Sequence, residues 1–284
     1  MKFVKPESEL YLPCGGRRAE AEAFKAATHL AVSAHQDDVE FMAYSGIADC
    51  FGRKDKGFSA CVVTNGSGSP RSGIYADYTD AQMIEVRREE QKRAADIGQY
   101  KALSLLMYPS NEVKDKKNPD VVADIVKILK AAKPKIVYTH NFADKHDTHV
   151  AVAARVVAAI RALPAKKRPE KLYGCEVWRS LDWVCDDEKV MLDCAARPNL
   201  SAALMGVFDS QISGGKRYDT ATLGRRAANA TYAASHGVDE YTQVTYAVDM
   251  TPLIKDDKLD PIAFTVEKIK AFQADVISRA GKVL

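Results

Sequence analysis

No apolar run in this 284-residue chain approaches the ~18 residues of a membrane span. The opening stretch, Met1-Lys2-Phe3-Val4-Lys5-Pro6-Glu7, has no apolar core of the signal-peptide kind, so no leader is expected in the chain as it stands. Neither sign of charge prevails. Against 38 acidic residues stand 41 basic ones, and the formal +3 is too small to mark a nucleic-acid or anionic-membrane surface. Basic clusters such as Arg87-Arg88 and Lys166-Lys167-Arg168 fall in helical or linker contexts and read as solvated faces. The six cysteines (Cys14, Cys50, Cys61, Cys175, Cys185, Cys194) form no C-x-x-C pair. Cys61 lies inside an apolar strand pattern, where a buried free thiol is expected, and the whole reads as a reduced, cytoplasmic protein. There is no internal repeat and no low-complexity linker.

What is present is an alternation. Short apolar runs at His29–Ala34, Phe58–Thr64, Ala102–Tyr108 and Lys135–Thr139 are separated by helix-like stretches near Asp37–Phe51, Asp80–Gly98, Pro119–Ala132 and His149–Leu163. Strands alternating with helices of this length mean βαβ units and a parallel sheet covered on both faces. The segment Val150–Ile160 is apolar almost all round and should be well buried. After about residue 171 the rhythm changes. Leu172–Trp178, Lys189–Leu192 and Glu240–Val248 look like strands, and Asn199–Ser213, Tyr218–Ser235 and Pro261–Ala280 look helical. The expected fold is α/β, a Rossmann-like, mostly parallel sheet with helices on both faces and a C-terminal α+β extension. It forms a single domain over residues 1–284, with a core at about 28–178 and the extension at about 179–284.

Histidine is scarce: of six in the chain, four fall within two short segments. Ala34-His35-Gln36-Asp37-Asp38 directly follows the first long strand. His140-Asn141-Phe142-Ala143-Asp144-Lys145-His146-Asp147-Thr148-His149 follows the fourth. In an open parallel sheet, ligands bind beyond the carboxyl ends of the strands where the strand order reverses. With the common order 3-2-1-4-5, the first and fourth strands are neighbours there, and both segments meet in one crevice. Two imidazoles and a carboxylate suit zinc, with a fourth position left open for water. His35, Asp38 and His149 can supply the three. Asp37 is then a spare carboxylate beside the metal, able to take a proton from water during attack on a carbonyl. His146 stands across the site as a donor to a developing oxyanion or as acid to a leaving nitrogen. Taken singly, these signals have plainer explanations. Asp-Asp after a strand is often a helix cap, and a lone His-x-x-His is weak. Two His- and Asp-rich turns at adjacent strand ends are harder to ascribe to chance.

These residues carry a resemblance. Ala34-His35-Gln36-Asp37-Asp38 with Glu40 resembles the A-H-P-D-D-x-E signature of the PIG-L/LmbE family of zinc N-deacetylases. His146-Asp147-Thr148-His149 resembles that family's H-P-D-H, Val63-Thr64-Asn65-Gly66 its strand ending in T-x-G, and Arg87-Arg88-Glu89-Glu90 its R-x-x-E helix. The resemblance spans about residues 28–160 and fades beyond, where only Ser210-Gln211 and Glu176–Trp178 look similar. It implies a Rossmann-like fold and one zinc ion per chain held by His35, Asp38 and His149. It further implies Asp37 as general base, His146 as oxyanion or leaving-group partner, and Arg87 as a substrate contact. The implied substrate is a small N-acetylated amino-sugar conjugate of the N-acetylglucosamine type. Two departures stand out. Gln36 replaces the family proline, removing a φ restraint. Thr148 replaces an aspartate that can orient a histidine, a task open to Asp144 or Asp147.

The remaining candidates are weaker. Asn111, just past the third strand, is a candidate substrate contact, although a turn asparagine fits equally well. His236 reads as a surface helix terminus, and His29 is given no role. Trp178 and Trp183 suit either a sugar-stacking wall or core packing. The rival functions are a catalytically silent sugar-binding module of the same fold and an iron(II) enzyme using two histidines and one carboxylate. A nucleotide-binding Rossmann enzyme is disfavoured, because no G-x-G-x-x-G follows the first strand. No nucleic acid and no membrane span are expected, and a homo-oligomer is left open.

Overall fold

The computed structural model describes residues 1–13 and 19–284. Cys14 lies outside them. Among the described residues, eight strands form one sheet: β1 (Glu9–Tyr11), β2 (His29–Ser33), β3 (Phe58–Thr64), β4 (Leu103–Tyr108), β5 (Ile136–His140), β6 (Lys171–Cys175), β7 (Lys189–Asp193) and β8 (Val244–Asp249). Their order across the sheet is β1-β4-β3-β2-β5-β6-β8-β7. The five strands β4-β3-β2-β5-β6 pair in parallel, which is the order expected from the sequence. The outer pairings, β1 with β4, β6 with β8 and β7 with β8, are antiparallel. The C-terminal extension therefore continues the sheet, with β8 inserted between β6 and β7.

The alternation of side chains along each strand divides the core into two layers. Leu30 and Val32 of β2, with Cys61 and Val63 of β3, face the helices Asp120–Ala132 and Asp147–Arg161. Ala31, Ala60 and Val62 point the other way, to helices Tyr44–Cys50, Asp80–Ile97 and Pro198–Gly206. β2, β3 and β4 are buried along their whole length, as strands covered on both faces must be. Helix Asp147–Arg161 buries most of its surface and leaves Ala154 and Ala158 to solvent. The helix expected near 37–51 breaks in two at Ala43, giving Asp38–Met42 and Tyr44–Cys50.

Helix Tyr218–Tyr232 returns from the C-terminal part toward the start of the sheet. Its buried Arg226 donates to the carbonyl oxygens of Glu40 (2.8 Å) and Phe41 (3.1 Å) and to Ser201 Oγ (2.8 Å). The Tyr44 hydroxyl donates to the carbonyls of Ala196 (2.8 Å) and Arg197 (2.7 Å). Cys50, Cys61, Cys175 and Cys194 are buried free thiols, and Cys185 is free and half-buried. Among the described residues, no helix is long and apolar enough to cross a membrane.

Candidate metal and catalytic site

β2 and β5 lie side by side in register His29↔Ile136, and their carboxyl ends open into one cavity of about 610 Å³. The turn after β2 carries His35, Asp37 and Asp38; the loop after β5 leads into helix Asp147–Arg161, with His146 at its N-cap and His149 in its first turn. Three atoms converge. His35 Nδ1 is 3.1 Å from His149 Nε2, and Asp38 Oδ2 is 3.3 Å from each of them. Ligands about 2.0–2.1 Å from a tetrahedral zinc stand about 3.3–3.4 Å apart, so this triangle fits the ion.

Two other groupings lie close: His35, His146 and His149, and Asp38, His140 and His149. Local hydrogen bonds weigh against both. His140 Nε2 already accepts the Ala34 amide (2.9 Å), and His146 Nδ1 accepts the Thr148 amide (3.3 Å). That leaves a neutral His146 with its proton on Nε2, the donor form. Burial, followed by His35 and His149, lowers the pKa of His146 and keeps the neutral form populated. His140 was present in the sequence pattern without a role; it stacks on His149 at 3.9 Å and supports the amide ahead of His35.

The electrostatics favour a cation. Burial alone would lower His149, but Asp38 and Asp144 on either side raise it to about 9. In Asp38 burial works against ionisation, yet His149 and His35 hold the carboxyl well below its ordinary range. Asp144 Oδ2 stands 3.6 Å from His149 Nδ1 and accepts the Trp178 amide at 3.1 Å. It occupies the place from which a carboxylate can orient a ligating imidazole, whereas Asp147 is exposed.

Asp37 is as buried as its neighbour but differs from it in backbone and partners. Its φ of 84° and ψ of −33° lie outside the regions that side-chain-bearing residues favour, a strain of about 1–3 kcal/mol. The strain is held by contacts on both sides: Arg87 Nη2 donates to Asp37 Oδ2 at 3.0 Å, and the Asp37 amide donates to Gln91 Oε1 at 3.1 Å. Burial raises the Asp37 pKa despite Arg87. Two adjacent carboxyls are thus pulled in opposite directions, the usual sign of divided roles.

Gln36 replaces a ring restraint with a tether. Its Nε2 donates to the Thr64 carbonyl at the end of β3 (3.1 Å), and its own carbonyl accepts from Arg87. Gly66, at φ 77°, passes so near that a Cβ there would stand 2.5 Å from Gln36 Oε1. The loop from Gly66 to Pro70 lines the cavity. Arg87 borders it too, but with 2% exposure. Its guanidinium is engaged by Gln36, Asp37, Ser210 Oγ (3.4 Å) and Glu90 (3.5 Å), so a substrate would meet Asp37 before it met Arg87. Asn111 does not reach the cavity. The short helix Ser110–Lys114 turns it to solvent and presents Ser110 and Lys114 instead. His236 is exposed. Trp178 lines the cavity, whereas Trp183 packs against the core. Lining residues that the sequence did not disclose include Lys216, Tyr218 and Arg225.

Known proteins share this architecture. An N,N′-diacetylchitobiose deacetylase from Pyrococcus horikoshii superposes with a TM-score of 0.61 at 14% identity, covering 83% of this chain and 88% of that one. A conserved protein of Thermus thermophilus gives 0.60 at 20% identity, over 82% and 99%. A 4-carboxy-2-hydroxymuconate hydratase from Pseudomonas putida gives 0.60 at 18% identity, over 79% and 96%. At such identities the likeness establishes the fold. The sequence itself matches the family described as PIG-L, GlcNAc-PI de-N-acetylase, over residues 30–160. That stretch holds both histidine turns and the helix of Arg87, and across it the chain carries a PIG-L family domain.

Proposed function

We propose that this protein is a zinc-dependent hydrolase that removes the N-acetyl group from an N-acetylglucosamine-type amino-sugar conjugate. The observation that carries the reading is the 3.1–3.3 Å triangle of His35, Asp38 and His149 with the buried Asp37 carboxyl beside it. When bound there, zinc lowers the pKa of water to about 7 and polarises a carbonyl oxygen. Asp37 accepts the proton that the attacking water gives up. His146, protonated on Nε2, donates to the oxygen on which negative charge develops. The proton held by Asp37 passes to the leaving nitrogen as the C–N bond breaks, giving acetate and a free amine. Arg87 acts through Asp37, fixing its carboxyl and its strained backbone.

A second reading has one observation behind it, the shared fold of the hydratase from P. putida. A base beside a metal would also serve the addition of water to an activated double bond. The family match over residues 30–160 favours amide hydrolysis. The test is a panel of N-acetylglucosaminides, N-acetyl peptides and 4-carboxy-2-hydroxymuconate, with acetate and primary amine followed in the presence of zinc. Amine release from the glycosides, abolished by a chelator and restored by zinc, is the expected result. Equal turnover of the peptides, or hydration of the muconate with no amine release, would overturn the proposal.

A further inference from the structure

The outer wall of the cavity joins Phe41 and Lys114 of the family-matched stretch to Trp178, Lys216, Tyr218 and Arg225 beyond it. Lys114, Lys216 and Arg225 line it. Among the described residues none of the three sits in an ion pair, whereas nearby Arg71 pairs with Asp80 and Arg217 with Asp219. Arg225 is held against the wall by donation to the Val177 carbonyl. Lys216 Nζ stands 5.0 Å above the Trp178 ring, within range of a cation–π contact. Trp178 meets Tyr218 edge-on at 5.9 Å, and Tyr218 meets Phe41 edge-on at 5.0 Å. Phe41 sits on helix Asp38–Met42, which begins with the carboxylate of the triangle. An aromatic wall therefore runs outward from the metal turn and ends in a cation.

The acids facing this cavity are Asp37, Asp38 and Glu176. The first two belong to the inner site. Glu176 is buried, with Oε1 engaged by Asn229 and by the Tyr246 amide (2.9 Å). Arg225 lies within electrostatic reach of the buried Glu176, whereas Lys114 and Lys216 line the mouth with no carboxylate in an ion pair with either among the described residues. Simple sugar stacking on Trp178 is a poorer account, since Lys216 covers one face of the ring and Tyr218 packs against it.

We infer that this wall is a subsite for an anionic group, a phosphate or carboxylate borne on the aglycone, with Lys216 and Arg225 as its specificity-determining residues. The inference rests on the deacetylase reading above for what occupies the inner site. The amino sugar lies along the aromatic wall near Phe41 and Tyr218, and the acidic group reaches the cations beyond Trp178, one ring farther out.

The test separates binding from turnover. N-acetylglucosamine 1-phosphate and the neutral methyl N-acetylglucosaminide are titrated into chelator-treated protein, so that phosphate cannot report on a metal. An exposed ion pair gives up to about fivefold in affinity, so two or three cations should favour the phosphate ester about tenfold or more at low salt. High salt should narrow that preference. Lys216→Gln should reduce the preference about threefold to fivefold, and Lys114→Gln, on a separate element, should reduce it further. Equal affinity for the two probes, or a Lys216→Gln loss shared equally by both, would overturn the inference. Acetate release is then measured with zinc restored. Release without a binding preference removes the anion subsite and leaves the deacetylase reading intact. A binding preference without release from either probe removes the deacetylase reading and leaves the subsite.

Discussion

Asp37→Asn tests the proposed chemistry most directly, because the structure allows the proton-accepting capacity to be removed with little else. Asparagine is among the residues that tolerate positive φ, so the 84° backbone can persist. Its amide oxygen can still accept from Arg87 Nη2, now 3.0 Å from the carboxylate, and the Asp37 main-chain bond to Gln91 is untouched. What weakens is a charge-assisted contact in a buried pocket, at a cost of up to about 2 kcal/mol in stability. What disappears is general-base catalysis, typically worth 10²–10⁴-fold, or about 2.7–5.5 kcal/mol of barrier. The expected outcome is therefore a fall in kcat of at least about 10²-fold with KM nearly unchanged. Elemental analysis should find zinc content unaltered, since Asp37 is outside the proposed ligand triangle. Asp38→Asn should instead lower zinc affinity directly. An Asp37→Asn protein that keeps most of its turnover would show that another group takes the water's proton. One that loses its metal, while Asp38→Asn stays metallated but slow, would reverse the two assignments.

The other predictions concern the ligands, the turn before the second histidine, and pH. His149→Ala should lose its zinc on dialysis against the apo buffer, and full metal occupancy at unchanged affinity would remove His149 from the ligand set. Thr148→Asp should bring no gain in turnover, because Asp144 already stands 3.6 Å from His149 Nδ1 and a further carboxylate would only add like charge. A rise of about 10–100-fold, the size of such supporting effects elsewhere, would contradict that account. Glu40 carries the pH prediction. Burial raises its carboxyl from 4.5 to about 8, even though it accepts from Tyr100 and Gln91. The unfolded chain releases this proton first, so the stabilising contribution is complete below about 4.5 and is lost as pH rises toward about 8. The slope approaches about 1.4 kcal/mol per pH unit. Glu40→Gln should flatten that fall in denaturant titrations of the chelated protein between pH 5 and 8.5. Parallel stability curves for the two proteins would refute it.

The parts of this fold readable in the sequence are those where many residues repeat one physical requirement. The buried parallel strands announce themselves as continuous apolar runs, and the common order assumed for them is what brings the two histidine turns together at β2 and β5. Helix Pro261–Ala280 matches the expected limits, since a proline opens it and Asp260 accepts the Ala263 amide as its cap. Three-residue β1 has too few positions to show a period and is specified by pairing with β4. Asn111 failed for a related reason, because the phase of a five-residue helix decides which side chain faces the cavity. Nothing in the sequence singles out Lys216 or Arg225. Only the left-handed turn at Gly215 and Arg217 and the return of helix Tyr218–Tyr232 bring them to the site. His140 was in plain view, but nothing in its spacing distinguishes a supporting imidazole from a ligating one.

The contacts of Arg226 bear on what can be cut or exchanged in this protein. A buried cation whose acceptors include the carbonyls of Glu40 and Phe41 closes the end of the helix that starts at Asp38. The family-matched segment ends at residue 160, while the helix that follows the turn of His35, Asp37 and Asp38 is capped from residue 226. A fragment stopping near 178 would leave those carbonyls, and the sheet edge at β6, without their native partners. It should neither fold independently nor hold metal. Grafting the C-terminal third of a relative onto this chain would meet the same obstacle unless the graft brought an equivalent cation to the same two carbonyls. Substrate range in this protein is therefore expected to change by substitutions along the outer wall, and not by exchange of whole segments.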